Sequence, residues 1–310
     1  MQLIVMLLAT VSILTFLSGA IVFFGATKGD RVRSAWYFAA AIFATVWMAS
    51  ISIFLVARPE QSNTINWHVI WTFVSAILID VAFLGYGAWK KRYGKITTFI
   101  YLVLGLIIGG AIMFNPSALY SDIILSHTGN SVVMNIGPLY FSYIAFFGAI
   151  VPVIIGVFAH QFFKTHSKRK QGGDIVTMAS FGLSSTIVLV FNLILPLFNN
   201  WSLIWLGPLA LAVTIIAVYY TILRYRMLNL SSAWLRILSY VVIVASVAII
   251  YMIIFSIIFA ALFRGSAPSI EVIILNFIMV LIFIALMPAL NEALTFVKSL
   301  TLDNKHKEKK

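Results

Sequence analysis

The sequence predicts an all-α membrane protein, a polytopic bundle of about nine transmembrane helices. Its 310 residues are 62% apolar and only 10% charged, with a mean hydropathy of +1.04. Soluble domains carry about 25% charged residues, and a soluble fold of this length could not bury so much apolar surface. A second observation is the regular alternation of long apolar runs with short basic loops.

Nine apolar runs are long enough to cross a bilayer, which takes roughly 20 helical residues. Their approximate ranges are 2–24, 35–57, 67–89, 97–114, 137–163, 176–198, 203–225, 237–263 and 270–290. The first run has no basic residue before it and several after it, so we interpret it as a membrane span and not as a secretory signal. The longest outer connection, about 115–136, is too short to form a large extracellular domain.

The basic residues fix the predicted orientation. Of the 21 Lys and Arg residues, all but Arg58 and Arg264 fall in alternate loops. Cytoplasmic loops are enriched in Lys and Arg, so we expect the N-terminus outside and the C-terminus inside, which requires an odd number of spans. The basic groups are Lys28, Arg31 and Arg33; Lys90, Lys91, Arg92 and Lys95; Lys164, Lys168, Arg169 and Lys170; Arg224, Arg226 and Arg236; and Lys298, Lys305, Lys307, Lys309 and Lys310.

The composition also excludes several classes of function. The net charge of +12 sits in loops beside membrane spans, whereas a nucleic-acid binder concentrates its charge on one face of a folded domain. The chain has no Cys, so disulfides and thiolate metal sites are excluded. No metalloprotease, phosphate-loop or nucleophile-elbow signature is present. We therefore expect no enzyme activity, no cofactor, no metal and no nucleic-acid partner.

Asp80 is the one charged side chain that the sequence places deep inside an apolar run, the third. Ionisable residues at that depth are costly and are a functional hypothesis by default. No Lys or Arg lies at a similar depth, so we expect the neutral acid to be favoured. One interpretation is a proton- or ligand-responsive switch inside the bundle, and the other is a neutral acid hydrogen-bonded to a neighbouring helix.

Asn192, which precedes Pro196 in the sixth run, is the second candidate for an intramembrane switch. Amide side chains in membrane bundles commonly form hydrogen bonds between helices, and this structural role is the alternative interpretation. His68 and His160 lie near span ends, and no second ligand at helical spacing completes a metal site around either.

The order of several short segments resembles the N-terminal seven-helix membrane region of bacterial sensor histidine kinases. The resemblance covers roughly residues 35–230 and is strongest over 137–230. The segments are 137–141 (GPLYF), 168–171 (KRKQ), 192–196 (NLILP), Gly207 with Pro208, and 220–230 (YTILRYRMLNL). In that family a segment similar to the last one closes the seventh helix at the cytoplasmic face.

The resemblance implies that Arg224, Tyr225 and Arg226 couple helix movement to whatever follows. Taken alone, two cations and an aromatic ring at a helix C-terminus complement the helix dipole and anchor the helix at the headgroups. The predicted organisation is a seven-helix sensor-like region over 1–230, two further transmembrane helices over 231–292, and a basic cytoplasmic tail over 293–310. The phosphoacceptor box of the family is absent, and His306 lacks the family's context for it, so autokinase activity is not expected.

The resulting expectation is a sensor or signal-transducing protein of the bacterial cytoplasmic (inner) membrane. Its output would pass through a partner, either a separate histidine kinase or another membrane protein, with the lipid bilayer as surroundings and a homodimer as an alternative assembly. Two other functions stay open: a small-solute or lipid transporter, whose site can leave little sequence trace, and an assembly subunit with no sensing role.

Overall fold

The fold is described from a computed structural model of the chain. The description covers residues 2–56, 62–88, 92–125, 132–198, 200–201, 203–225 and 227–228. The chain divides into two compact units, Met1–Ser246 and Val247–Lys310. All the described residues belong to the first unit, so the predicted eighth and ninth spans and the basic tail lie outside them.

Seven helices in the described residues are long and apolar enough to cross a membrane, and the chain is a multi-pass membrane protein on that basis. This confirms the first seven predicted runs as helices. The helices are α1 Gln2–Gly25, α2 Arg31–Val56, α3 Ser62–Ala88, α4 Arg92–Phe114, α5 Pro138–Lys164, α6 Lys168–Val188 and α7 Leu206–Arg224.

Helix α3 occupies the centre of the bundle, because it packs against α2, α4 and α5 and buries most of its surface. Helix α7 is buried in a similar way by α6, α1 and α2. Helix α4, in contrast, exposes a run of large apolar side chains along its length. Such a face suits acyl chains and would be unfavourable in water. Its exposed members include Phe99, Ile100, Val103, Leu104, Leu106 and Ile107.

Helices α2, α4 and α6 begin at the same end of the bundle where α3, α5 and α7 end. Contacts of Arg33 with Tyr86 and of Gln161 with Gly87 bring these helix ends together. We call this the basic end, because it carries the described members of the basic groups. These are Lys28, Arg31, Arg33, Arg92, Lys95, Lys164, Lys168, Arg169, Lys170 and Arg224.

The described residues are mostly helical, as an all-α bundle requires, and a short β-hairpin at the opposite end is an addition that the sequence analysis does not predict. Strands β1 (Tyr120–Leu125) and β2 (Val132–Ile136) pair antiparallel, and the register shifts between Tyr120 and Ile123. The predicted outer loop of 115–136 therefore contains ordered pairing. Its Ile and Val residues favour extended backbone, and no hydropathy signal distinguishes such short strands from a loop.

Several helices begin before the apolar runs that predicted them. Helix α2 starts at Arg31 and not near 35, and α6 starts at Lys168 and not near 176. Hydropathy marks only the part of a helix that suits lipid, whereas backbone hydrogen bonding continues into the polar interface. Helix α6 also continues past Val188 through a π-helical segment, Leu189–Ile194, and a short helical turn, Leu195–Leu197.

A row of hydroxyl groups joins α6 to α7 along their shared face. Ser184 Oγ donates to the Ala210 carbonyl oxygen at 2.6 Å and lies 2.5 Å from Thr214 Oγ1. Thr214 in turn donates to the Ser180 carbonyl oxygen at 3.0 Å. Small hydroxyl residues allow close approach and hydrogen bonding between membrane helices. The two helices are therefore bonded to each other where Ser180 and Ser184 face Ala210 and Thr214.

Candidate functional site

A cavity of about 480 Å³ with both polar and apolar walls lies at the basic end of the bundle. Helices α2 to α6 and the segment that follows α7 all contribute to its walls. It extends from the largely exposed Tyr93 to buried groups on α2 and α6. Its charged and polar lining includes Arg33, Thr97, His160, Gln161, Lys170 and Asp174.

Arg33, in the first turn of α2, is buried and serves as a bridge between helix ends. Its Nε donates to the Tyr86 carbonyl oxygen at 3.0 Å, and an Nη donates to the Met227 carbonyl oxygen at 3.4 Å. Carbonyls in the last turn of a helix lack intrahelical partners and carry partial negative charge. A guanidinium group satisfies them well, which explains how a cation is tolerated at this depth.

Asp174, in the second turn of α6, places a carboxyl group in the same cavity. The side chain is 2% exposed, and its buried Oδ1 has no hydrogen-bond partner among the described residues. Arg33 and Lys170 both interact with this carboxyl group electrostatically. The cavity is thus lined by a buried carboxyl group beside two cations.

The cavity walls are fixed by side chains that bind backbone carbonyls. Gln161 donates to the Gly87 carbonyl oxygen at 2.5 Å, and Gln171 donates to the Thr165 carbonyl oxygen at 2.7 Å. Gly94 lies against the Ala88 carbonyl, with no room there for a Cβ atom. The end of α3 is consequently held from both the α4 and the α5 side.

The segment that follows α7 folds back onto the start of α6. A Cβ atom on Gly172 would lie 2.8 Å from the Tyr225 ring, and one on Gly173 would lie 3.0 Å from the Met227 sulfur. The Tyr225 ring also packs edge-on to Tyr220, with centroids 6.3 Å apart. Two adjacent glycines therefore form the surface on which this segment rests, and Arg33 holds it from the other side.

Two of the three residues predicted to couple the seventh helix to the following chain, Arg224 and Tyr225, are described, and they differ in burial. Arg224 is exposed in the last turn of α7. Tyr225 is half-buried against Gly172. Arg226 lies outside the described residues. The structure thus brings Tyr225 into the neighbourhood of the cavity, and the coupling role stays a prediction.

Asp80 lies in the middle of α3 and is fully buried. Neither carboxyl oxygen has a hydrogen-bond partner among the described residues, so the expected hydrogen bond to a neighbouring helix is not observed there. The Tyr143 hydroxyl on α5 is near enough to interact with it electrostatically. Asp80 does not line the cavity of the basic end.

Asn192 lies in the π-helical segment and joins it to the start of α7. Its Nδ2 donates to the Ile204 carbonyl oxygen at 2.9 Å, and its amide fills the space where a Cβ atom on Gly207 would lie. The Tyr140 hydroxyl contacts the carbonyl oxygens of Asn192 and Leu193 at 3.0 and 3.1 Å. Pro196 has no N–H to offer the Asn192 carbonyl four residues earlier, and Tyr140 satisfies it. This arrangement favours the structural interpretation of Asn192.

Sequence reasoning missed the central pair of the site, Arg33 and Asp174. The sequence patterns place Arg33 in a basic loop and do not single out Asp174. A usable signal existed, because Asp174 is an acid that lies four residues, one helical turn, after Lys170 at the end of a basic group. In the described residues, no group of three or more metal-ligating side chains comes together.

Comparison of the chain with protein-family models, curated proteins and solved structures gave no match. The class established by the fold is a multi-pass helical membrane protein with a charged cavity at one end.

Proposed function

We propose that the chain is a membrane signal-transducing protein in which the basic end passes a change in helix packing to the segment after α7. The observation that carries the proposal is the bridge made by Arg33. One guanidinium group contacts the end of α3 and the Met227 carbonyl oxygen, which lies beyond α7.

This bridge makes the position of the segment after α7 depend on the other helices. A small rotation of α2 or α3 would move the guanidinium group, and the segment would then follow it or lose the bond. Packed helices change between discrete arrangements and do not deform continuously. A stimulus would shift the balance between two such arrangements by its differential affinity for them.

The rest of the proposal concerns location and partners. We place the protein in the bacterial cytoplasmic membrane, with the basic end on the cytoplasmic side because Lys and Arg concentrate there. The output passes to a separate histidine kinase or another membrane protein. A homodimer would present the basic end twice to that partner. The resemblance of 137–230 to the membrane region of sensor kinases supports this assignment.

A reversible disulfide tests the proposal directly. The double variant Gly173→Cys, Met227→Cys places two thiols side by side, because a Cβ atom on Gly173 would lie 3.3 Å from the Met227 Cγ atom, and the chain has no native Cys to interfere. In isolated membranes, oxidation should lock the segment onto α6 and abolish stimulus-dependent output of the partner. A reductant should restore it, and each single variant serves as a control.

The partner itself can be captured with a photo-crosslinking residue introduced between 293 and 310. The proposal would be supported if the captured partner is a kinase whose phosphorylation no longer responds to the stimulus when the disulfide is oxidised. Two results would contradict it: solute uptake by liposomes that contain only this chain, or a partner whose activity ignores the disulfide. The first would favour transport, and the second an assembly subunit.

A further inference from the structure

The cavity at the basic end is lined by side chains of opposite charge. Oδ1 of Asp174 is buried and accepts no hydrogen bond from the described residues, although Arg33 and Lys170 act on the carboxyl group electrostatically. Burial of a carboxyl group carries a desolvation cost that hydrogen bonds and opposite charges offset. A ligand that supplies N–H donors to this carboxyl group would recover part of that cost on binding.

The cationic side of the cavity has donors to offer a ligand. A guanidinium group carries five N–H donors, and the described carbonyls of Tyr86 and Met227 use two of those on Arg33. The Lys170 ammonium group lies on an exposed side chain that lines the same cavity. Arg and Lys together are the usual partners of phosphate groups in proteins.

We propose that this cavity binds a phosphoethanolamine group, with the primary ammonium on Asp174 and the phosphate between Arg33 and Lys170. The volume of about 480 Å³ lies within the range of small-molecule sites. A primary ammonium carries three N–H donors that can face the Asp174 carboxyl group, whereas a quaternary ammonium has none. The group could arrive as the headgroup of a membrane lipid or as a free solute, because the basic end lies at a membrane surface.

This inference goes beyond the coupling proposed above and does not depend on it, since binding can be measured without any signalling output. If the disulfide has no effect on output, the coupling proposal is contradicted and the ligand site is not. If no ligand binds, the ligand site is contradicted and the coupling through Arg33 and Met227 is not.

The first arm of the test uses soluble probes and the purified full chain in detergent. Titration calorimetry with phosphoethanolamine, phosphocholine and inorganic phosphate should rank phosphoethanolamine at least about tenfold tighter than phosphocholine, since one charged hydrogen bond exceeds the energy of a tenfold change. Asp174→Asn should remove that preference. Lys170→Gln should lower the affinity for all three probes by the same factor. Lys168 is an exposed neighbour that does not line the cavity, so Lys168→Gln should leave all three affinities unchanged.

The second arm distinguishes the source of the group. Native mass spectrometry with added dioleoyl-phosphatidylethanolamine or dioleoyl-phosphatidylcholine should show retention of the first over the second. Retention of the lipid without binding of soluble phosphoethanolamine identifies a lipid headgroup as the ligand, and soluble binding without lipid retention identifies a free solute.

Two results would overturn the inference. One is equal affinity for phosphate, phosphocholine and phosphoethanolamine, which would make the cavity an anion site only. The other is the absence of binding by every probe in both arms. If Asp174→Asn fails to fold by circular dichroism, the preference of the unaltered protein and the effect of Lys170→Gln decide the question.

Discussion

The guanidinium carbon of Arg33 lies 4.7 Å from the centroid of the Tyr86 ring, while its Nε donates to the carbonyl oxygen of the same residue at 3.0 Å. The ring and the backbone carbonyl of Tyr86, near the end of α3, thus hold a cation in the first turn of α2. The Tyr86 side chain is itself buried, at 1% exposure. The contact is therefore shielded from water. Cation–π interactions and charged hydrogen bonds are strongest in such desolvated surroundings.

Arg33→Lys should lower the stability of the bundle although the charge is kept. An ammonium group cannot reproduce the planar, forked geometry that contacts two carbonyls and one ring together. We expect a loss of about 1–3 kcal/mol, measured as a lower midpoint of thermal unfolding in detergent. Arg31→Lys, on an exposed side chain two residues earlier, is the control, and an equal effect at both positions would contradict the assignment.

Gly207→Ala should destabilise the junction between the π-helical segment and α7. The added Cβ atom would collide with the Asn192 amide, which would have to abandon its bond to Ile204. Overpacking of this kind costs about 1–3 kcal/mol. Gly182→Ala is the matched control, because nothing lies within 4 Å of the added atom, and in a helix interior it should stabilise by about 0.5–1 kcal/mol. Thermal unfolding of the two variants should shift in opposite directions.

Tyr140→Phe should expose the role of the hydroxyl that satisfies Asn192 and Leu193. Its loss leaves two buried carbonyl oxygens without that donor, at a cost of about 1–3 kcal/mol. Thermal unfolding and hydrogen exchange of the Leu189–Ile194 backbone measure the effect. Tyr93→Phe, at a largely exposed ring, should leave the unfolding midpoint and the exchange rates unchanged. If Tyr140→Phe also leaves them unchanged, other groups satisfy these two carbonyl oxygens.

Asp80→Leu should stabilise the fold. The carboxyl group is fully buried, with both oxygens lacking a partner among the described residues, and replacing such a group with an apolar one removes a desolvation cost. We expect a gain of about 1–3 kcal/mol in thermal unfolding. If Asp80 acts as a switch, the same variant should lose stimulus response while gaining stability. A destabilised variant would indicate a structural partner for the carboxyl group.

Tyr120, at the start of β1 and outside the membrane spans, should make stability depend on alkaline pH. Burial raises the pKa of Tyr120 to about 12, whereas a Tyr hydroxyl in an unfolded chain ionises near pH 10. The folded state therefore favours the neutral hydroxyl. Its contribution is complete below pH 10 and is lost as the pH rises through 12. Unfolding midpoints measured over this range should fall less steeply for Tyr120→Phe, and identical slopes would contradict the prediction.

The sequence predicted the membrane spans well and the site poorly, for physical reasons. Hydropathy is a property of a continuous run of residues, so it located seven helices without knowledge of their packing. The cavity arises where five helix ends converge, and no local pattern reveals that Arg33 meets Tyr86 or Met227. The π-helical segment was also missed, because it depends on the distant hydroxyl of Tyr140 and on Asn192 fitting against Gly207.

The hydroxyl row between α6 and α7 limits the kind of motion available to this protein. Sliding one helix along the other would break the bonds of Ser184 and Thr214 together. A piston stroke of α7 alone is therefore disfavoured. We expect α6 and α7 to tilt together as one rigid unit. Such a tilt would move Tyr225 and Met227, which follow the end of α7, sideways and not along the helix axis.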